Sequence, residues 1–195
     1  IDDYDAIVYN VFGCDRMRII SGKYKGKVLE GFDIDGTRPT MDRVKESMFA
    51  MIQNHLKDSI CLDLFAGSGN LGLEALSEGA RKCYFVECNP IAIRTIRNNG
   101  EACKALNDME IVQKSYREAL LSLQEEQLKF NLVFLDPPYQ ENLISTVFAM
   151  LKELDLLEKD ALIVCEFEHE NLSDSIFHLW KERKYGSKKV FIYRV

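Results

Sequence analysis

Two short stretches of the chain combine residue types and spacings that could carry chemistry. Residues 60–72 have the sequence ICLDLFAGSGNLG, and residues 131–139 have the sequence NLVFLDPPY. Each is an apolar run of strand length that ends abruptly in glycines, prolines or an acid. Buried parallel strands present functional groups in this way, at their carboxyl ends. We therefore interpret the two stretches as the cofactor loop and the catalytic loop of one site.

The first stretch predicts a ligand held close to the main chain. Gly67, Gly69 and Gly72 fit G-x-G-x-x-G between a predicted strand and a helical pattern, which is the context that gives this motif weight. Asp63 lies four residues before Gly67, where its carboxylate would disfavour a phosphate. It better suits an ammonium group, such as the one on the methionine end of S-adenosylmethionine (SAM). A tight turn without a ligand is the alternative.

The next strands add further candidates for cofactor binding. Residues 83–87 form a predicted strand that ends in Glu87, near the spacing expected for a carboxylate that accepts ribose hydroxyls. Ser115 follows the third predicted strand and could offer adenine only a hydroxyl, so the Tyr116 amide is the alternative contact. The predicted cofactor-binding residues are Asp63, Phe65, Gly67, Ser68, Gly69, Glu87, Cys88, Ser115 and Tyr116.

The second stretch indicates which group is modified. The two prolines after Asp136 fix φ and remove backbone donors, so the loop presents only acceptors. The Asp136 carboxylate and the Pro137 carbonyl could accept both hydrogens of an exocyclic base amine and position its lone pair for methyl transfer. Tyr139 could stack on a flipped base. We predict catalytic roles for Asp136, Pro137, Pro138 and Tyr139; a proline-rich turn is the alternative.

With these motifs in place, the chain resembles the RsmD-type methyltransferases. The resemblance is carried by four ordered blocks: residues 17–22 (MRIISG), 38–46 (RPTMDRVKE), 62–80 (LDLFAGSGNLGLEALSEGA) and 136–139 (DPPY). It implies methyl transfer from SAM to N2 of a guanine in bacterial 16S rRNA, with that RNA or a small-subunit assembly intermediate as partner. It also implies that residues 38–43 lie near the cofactor and the target base.

The distribution of charge is compatible with an RNA substrate although the net charge is −6. Residues 17–45 carry seven basic against four acidic side chains, and residues 181–195 carry six against one. Clustered positive charge suits a surface that follows phosphates, whereas solvated lysines are the alternative. The predicted RNA-contacting residues are Arg18, Lys23, Lys25, Arg38, Thr40 and Arg43.

Length and patterning predict one α/β domain. Alternating strands and helices with a closing hairpin around residues 178–195 indicate a doubly wound, mostly parallel sheet of the SAM-dependent methyltransferase type. We expect residues 1–16 to be an upstream extension, residues 17–36 a small RNA-contacting β-hairpin appendage, and residues 37–195 the methyltransferase domain. We further expect a cytoplasmic monomer without metal or membrane contact, and the six cysteines show no C-x-x-C pair.

Two other functions stay open at this stage. The acceptor-only loop would also serve an N6-adenine DNA methyltransferase, although the chain has little room for a large target-recognition domain. A ribosome-assembly factor that binds RNA without transferring methyl is the non-catalytic alternative.

Overall fold

A seven-stranded sheet forms the centre of the protein. The structure is a computed structural model and describes residues 17–31, 42–137, 143–167, 175–186 and 188–195. The strands are β1 Ile60–Asp63, β2 Lys82–Val86, β3 Met109–Val112, β4 Phe130–Leu135, β5 Leu157–Phe167, β6 His178–Tyr185 and β7 Lys188–Arg194. Their order is β3-β2-β1-β4-β5-β7-β6. β1 to β5 are parallel, whereas β7 is antiparallel to β5 and β6 is antiparallel to β7.

This topology confirms the predicted doubly wound sheet and its closing hairpin. The chain winds in one direction from β1 to β2 and β3, and in the other direction from β4 to β5. The direction therefore changes between β1 and β4. In open α/β sheets, ligands bind at such a switch point, beyond the carboxyl ends of the strands.

Helices cover both faces of the sheet. Those in the described ranges are α1 Asp42–Ile52, α2 Asn70–Ser77, α3 Pro90–Ala102, α4 Tyr116–Glu125 and α5 Leu143–Glu153. Apolar side chains of α1, α2 and α3 form one core with one face of the sheet, and those of α4 and α5 form a second core with the other face. Strand side chains alternate between the cores, so that Cys61 lies in the first and Leu62 in the second. The central strands β1, β2 and β4 are mostly apolar because both of their faces are buried.

The N-terminal segment, residues 17–31, packs on α2 and α3. Its antiparallel pairing is limited to a bridge between Arg18 and Val28 and a few flanking backbone hydrogen bonds. Gly22–Tyr24 form a short 3-10 turn instead of a continuing ladder. Within residues 17–31 the paired portion is short because the turn docks on α2, where the Tyr24 N–H donates to the Ser77 hydroxyl over 2.9 Å. Residues 32–36 of the predicted hairpin lie outside the described residues.

Several element boundaries follow directly from local sequence. The Asn89 side chain caps α3, accepting from the Ile91 N–H, and Pro90 occupies the first turn. β5 begins at Leu157, which pairs with Phe130 across a register shift. Within the described residues, no helix is long and apolar enough to cross a membrane.

Candidate active site

The carboxyl ends of β1 and β4 meet at the switch point. Asp63 is in register with Phe134, and the Leu64 N–H donates to the Phe134 carbonyl over 3.2 Å. Asp136 follows Phe134 by two residues along the chain, as Phe65 follows Asp63. Neighbouring strands lie about 5 Å apart. The loop that begins at Asp136 therefore starts near the glycine loop.

The glycine loop turns sharply from β1 into α2. Gly67 and Gly69 have φ angles of 55° and 79°, in the left-handed region that side chains other than glycine rarely adopt. Gly72 has a different role, since a Cβ there would lie 2.3 Å from a ring atom of Phe85 on β2. The third glycine thus allows close packing of α2 on the sheet, and the first two shape the loop.

Asp63 lies at the bottom of this loop and is only 2% exposed. Its carboxylate accepts a 3.0 Å hydrogen bond from the Gly72 N–H, which anchors the first turn of α2 to the end of β1. Burial raises the pKa of Asp63 to about 7, against the opposing effect of the Gly72 hydrogen bond, and the nearby Glu87 carboxylate adds to the rise. The residue is therefore a buried acid whose ionisation a bound cation would favour.

Glu87 connects the loops that follow β1 and β2. One carboxylate oxygen accepts from the Gly67 N–H at 3.0 Å, and the other accepts from the N–H groups of Cys88 and Asn89 at 2.8 and 2.9 Å. A carboxylate offers about four acceptor positions. The half-buried Glu87 therefore retains capacity for a ligand hydroxyl while its position is held by the main chain.

Aromatic rings border the loop on the β3 side. Phe65 and Tyr116 lie with ring centroids 5.7 Å apart, and both are half-buried. Ser115 caps α4, because its hydroxyl accepts from the Glu118 N–H and donates to the Glu118 carboxylate over 2.6 Å. That hydroxyl is therefore already engaged in the helix cap.

The other predicted cofactor and catalytic residues that the structure describes lie at the same edge. Ser68 is 8% exposed, and its carbonyl accepts from the Asn99 side chain at 2.9 Å. Cys88 is exposed beyond β2. Asp136 and Pro137 are half-buried. The predictions for Pro138 and Tyr139 fall outside the described residues.

The predicted RNA-contacting side chains differ in their present partners. Arg18 pairs with Asp42 at 2.7 Å and Lys23 with Asp108 at 3.3 Å, both on the surface. Lys25 and Arg43 are exposed and form no ion pair with any described residue. The predictions for Arg38 and Thr40 lie outside the described residues, as do those for residues 1–16.

A buried polar cluster below the N-terminal segment was missed by the sequence patterns. Lys45 of α1 and Glu74 of α2 are 1% and 0% exposed and form an ion pair of 2.7 Å. The Lys45 ammonium also donates to the Arg18 carbonyl at 2.5 Å and to the Asn70 side chain at 2.7 Å. The signal that could have revealed the cluster is Glu74 itself, an acid inside the otherwise apolar helix LGLEAL.

The cluster holds the N-terminal segment against the cofactor loop. Glu74 accepts from the N–H groups of Ile20 and Ser21 at 2.9–3.0 Å. Asn99 of α3 is 1% exposed and donates both to the Ser68 carbonyl and to the Glu30 carbonyl. The same two helices thus position the glycine loop and the segment predicted to contact RNA.

Comparison with known proteins identifies the family. The model of the family described as Conserved hypothetical protein 95 matches residues 17–194. The chain belongs to this family. The match begins at the first described residue and includes both loops and the closing hairpin.

Relatives of the family member described here carry methyltransferase names. Ribosomal RNA small subunit methyltransferase D of Haemophilus influenzae is 35% identical over 91% of this chain and 93% of its own length. The solved structure of the Escherichia coli protein yhhF is 31% identical, covers 92% of this chain and 97% of that chain, and has a TM-score of 0.78. The resemblance to the RsmD-type methyltransferases is thereby confirmed.

A more distant structure shares the fold. An RNA methyltransferase from Salinibacter ruber, solved in complex with S-adenosyl-L-homocysteine, is 16% identical, covers 81% of this chain and 94% of that chain, and has a TM-score of 0.62. At that identity the likeness concerns the fold alone.

Proposed function

We propose that this protein transfers a methyl group from SAM to the exocyclic N2 of a guanine in 16S rRNA. It acts as a cytoplasmic monomer on free RNA or on a small-subunit assembly intermediate. The observation that carries the proposal is the β1–β4 register, in which Asp63 of the glycine loop pairs with Phe134, two residues before Asp136 of the DPPY loop. The names of the relatives support RNA as the substrate class.

The residues around the glycine loop fit SAM. A buried acid, Asp63, suits the ammonium of its methionine end; Glu87 has acceptor capacity for ribose hydroxyls; and the rings of Phe65 and Tyr116 suit the adenine. The acidic character of the loop disfavours a phosphate-bearing ligand. SAM, when bound, supplies an electrophilic methyl group on a sulfonium.

Asp136 and Pro137 position the amine that receives the methyl group. The exocyclic nitrogen of guanine is conjugated with its ring and is a weak nucleophile. When the Asp136 carboxylate and the Pro137 carbonyl accept its two hydrogens, the lone pair turns out of the ring plane. The contribution is positioning and electrostatic stabilisation, so no covalent bond to the protein is needed.

The N-terminal segment supplies contacts to the RNA backbone. Lys25 and Arg43 are available directly, and Arg18 and Lys23 can exchange their exposed carboxylate partners for phosphates, because such surface pairs contribute little. Phosphate contacts of this kind fix register and leave recognition of the base to the pocket.

Substitution of Asp136 tests the proposed role. We expect Asp136→Ala and Asp136→Asn to lower kcat by at least about 100-fold, because an acceptor needed only for chemistry is lost. The dissociation constant for SAM, measured by calorimetry, should stay within about twofold of the wild-type value, since the change lies outside the glycine loop.

Asp155→Asn is the matched control. Asp155 is an exposed acid paired with Lys129 on the surface, and its substitution should leave turnover unchanged. Wild-type turnover in either Asp136 variant would refute the catalytic assignment.

A further inference from the structure

The hairpin formed by β6 and β7 carries basic side chains of two kinds. Lys181 and Arg194 have structural partners: the Lys181 ammonium donates to the Met51 carbonyl at 2.9 Å, and Arg194 pairs with Asp160 at 2.9 Å. These two residues attach the hairpin to α1 and to β5.

Arg183, Lys184 and Lys189 form no ion pair with any residue that the structure describes. Lys184 lies directly opposite Lys189 in the β6–β7 register. Like charges at directly opposed positions destabilise an antiparallel pair. The arrangement costs stability in the free protein, and a bound anion would remove that cost.

The hairpin also brings these charges to the catalytic edge of the sheet. β6 runs parallel to β5, since both are antiparallel to β7. Lys189 is in register with Phe167, two residues beyond the pair of Cys165 with Leu135. With ordinary strand spacings, the Cα atoms of Lys189 and Lys184 lie roughly 10 Å and 15 Å from that of Asp136.

The other predicted RNA contacts lie on the opposite side of Asp136. The N-terminal segment packs on α2 and α3, beside β1 and β2, whereas the hairpin lies beyond β5. α1 connects the two sides: the Ser47 and Tyr185 hydroxyls are hydrogen-bonded, and Arg43 lies one turn before Ser47 on the same face of the helix. Asp136 is therefore flanked by basic groups on both sides.

We propose that Lys184 and Lys189 bind phosphates of the substrate RNA on the far side of the catalytic loop from the N-terminal segment. A strand whose target base lies at Asp136 would then be held at both flanks. The inference rests on the proposed function and adds a second RNA-binding element to it.

The test compares two double variants with the same change in net charge. Lys184→Glu/Lys189→Glu alters the hairpin, and Lys57→Glu/Lys159→Glu alters two exposed lysines at the amino ends of β1 and β5, the opposite edge. Dissociation constants for naked 16S rRNA are measured by filter binding at several salt concentrations, and KM and kcat are measured with small subunits as substrate.

We expect the hairpin variant to raise KM for small subunits at least about fivefold. With naked 16S rRNA, it should reduce the slope of log affinity against log salt concentration by about 1 to 1.5, the equivalent of two single-strand phosphate contacts. At saturating subunits its kcat should equal the wild-type value, and the control variant should change neither KM nor the salt slope by more than about twofold. Equal effects of the two variants would overturn the proposal.

Single substitution separates RNA contact from misfolding. Lys184→Glu places opposite charges across β6 and β7, so its unfolding temperature should equal or exceed that of the wild type while its RNA affinity falls. Unchanged affinity in this variant would also overturn the proposal. If methyl transfer failed with every RNA but the binding differences persisted, the proposed function would be wrong and the phosphate contact would stand.

Discussion

At Asp63, the burial that the fold imposes disfavours the ionised carboxylate that would suit the ammonium group of SAM. Its carboxyl group anchors α2 through the Gly72 N–H, yet it is buried at the bottom of the glycine loop. Burial holds its pKa at about 7 in the folded protein, well above the ordinary value of 3.8. Between about pH 4 and pH 7, the folded protein therefore retains a proton that the unfolded chain releases.

Because of this proton, the free energy of unfolding of the protein without cofactor should depend on pH. Because the folded-state pKa exceeds the unfolded one, the contribution of Asp63 to the free energy of unfolding falls as pH rises from about 4 to about 7, by on the order of 2–4 kcal/mol. Asp63→Asn keeps an acceptor for Gly72 and cannot ionise. In chemical denaturation, the variant should gain stability over the wild type as pH rises; a constant difference between pH 4.5 and 8 would contradict the burial of an ionisable group.

At the scale of elements, the Lys45–Glu74 pair joins α1, α2 and the N-terminal segment. Desolvation lowers the pKa of Lys45, and the attraction of Glu74 opposes that shift. Removing one partner of a buried pair leaves an uncompensated charge, which costs far more than losing an exposed pair.

Glu74→Gln should lower the free energy of unfolding by about 3–5 kcal/mol, whereas Lys129→Gln, which breaks the exposed pair with Asp155, should cost less than about 1 kcal/mol. Adding Lys45→Met to Glu74→Gln removes the orphaned charge and should restore part of the loss. Urea denaturation measures all three, and a small effect of Glu74→Gln would show that water reaches the pair.

The strands and the two loops could be predicted because their signals are local. An apolar run followed by glycines, or by DPPY, marks both the strand and its functional end. The Lys45–Glu74 pair could not be predicted in the same way, since it depends on a contact between two helices whose paired residues are 29 positions apart in the chain. The role of the Ser115 hydroxyl in capping α4 likewise depends on Glu118, which completes a capping box. The interpretation of Ser115 as an adenine contact did not consider this pattern.

At the scale of the whole molecule, the fold gathers basic side chains in particular regions, which the net charge does not show. The net charge is −6, yet basic groups lie on both sides of Asp136, on the N-terminal segment and on the β6–β7 hairpin. Net charge alone would argue against an RNA substrate, whereas local fields near the site govern the approach of phosphates. The sheet order produces this arrangement, because β4 lies between β1 and β2, beside which the N-terminal segment packs on α2 and α3, and the β6–β7 hairpin.

The most direct test of the central claim is the identity of the methylated nucleoside. The purified protein is incubated with labelled SAM and small ribosomal subunits, naked 16S rRNA or duplex DNA, all from cells that lack this protein, and the products are digested for mass spectrometry. We predict label in N2-methylguanosine of 16S rRNA, lost with Asp136→Ala. Label in N6-methyladenine of the DNA, or no label in any substrate, would contradict the account.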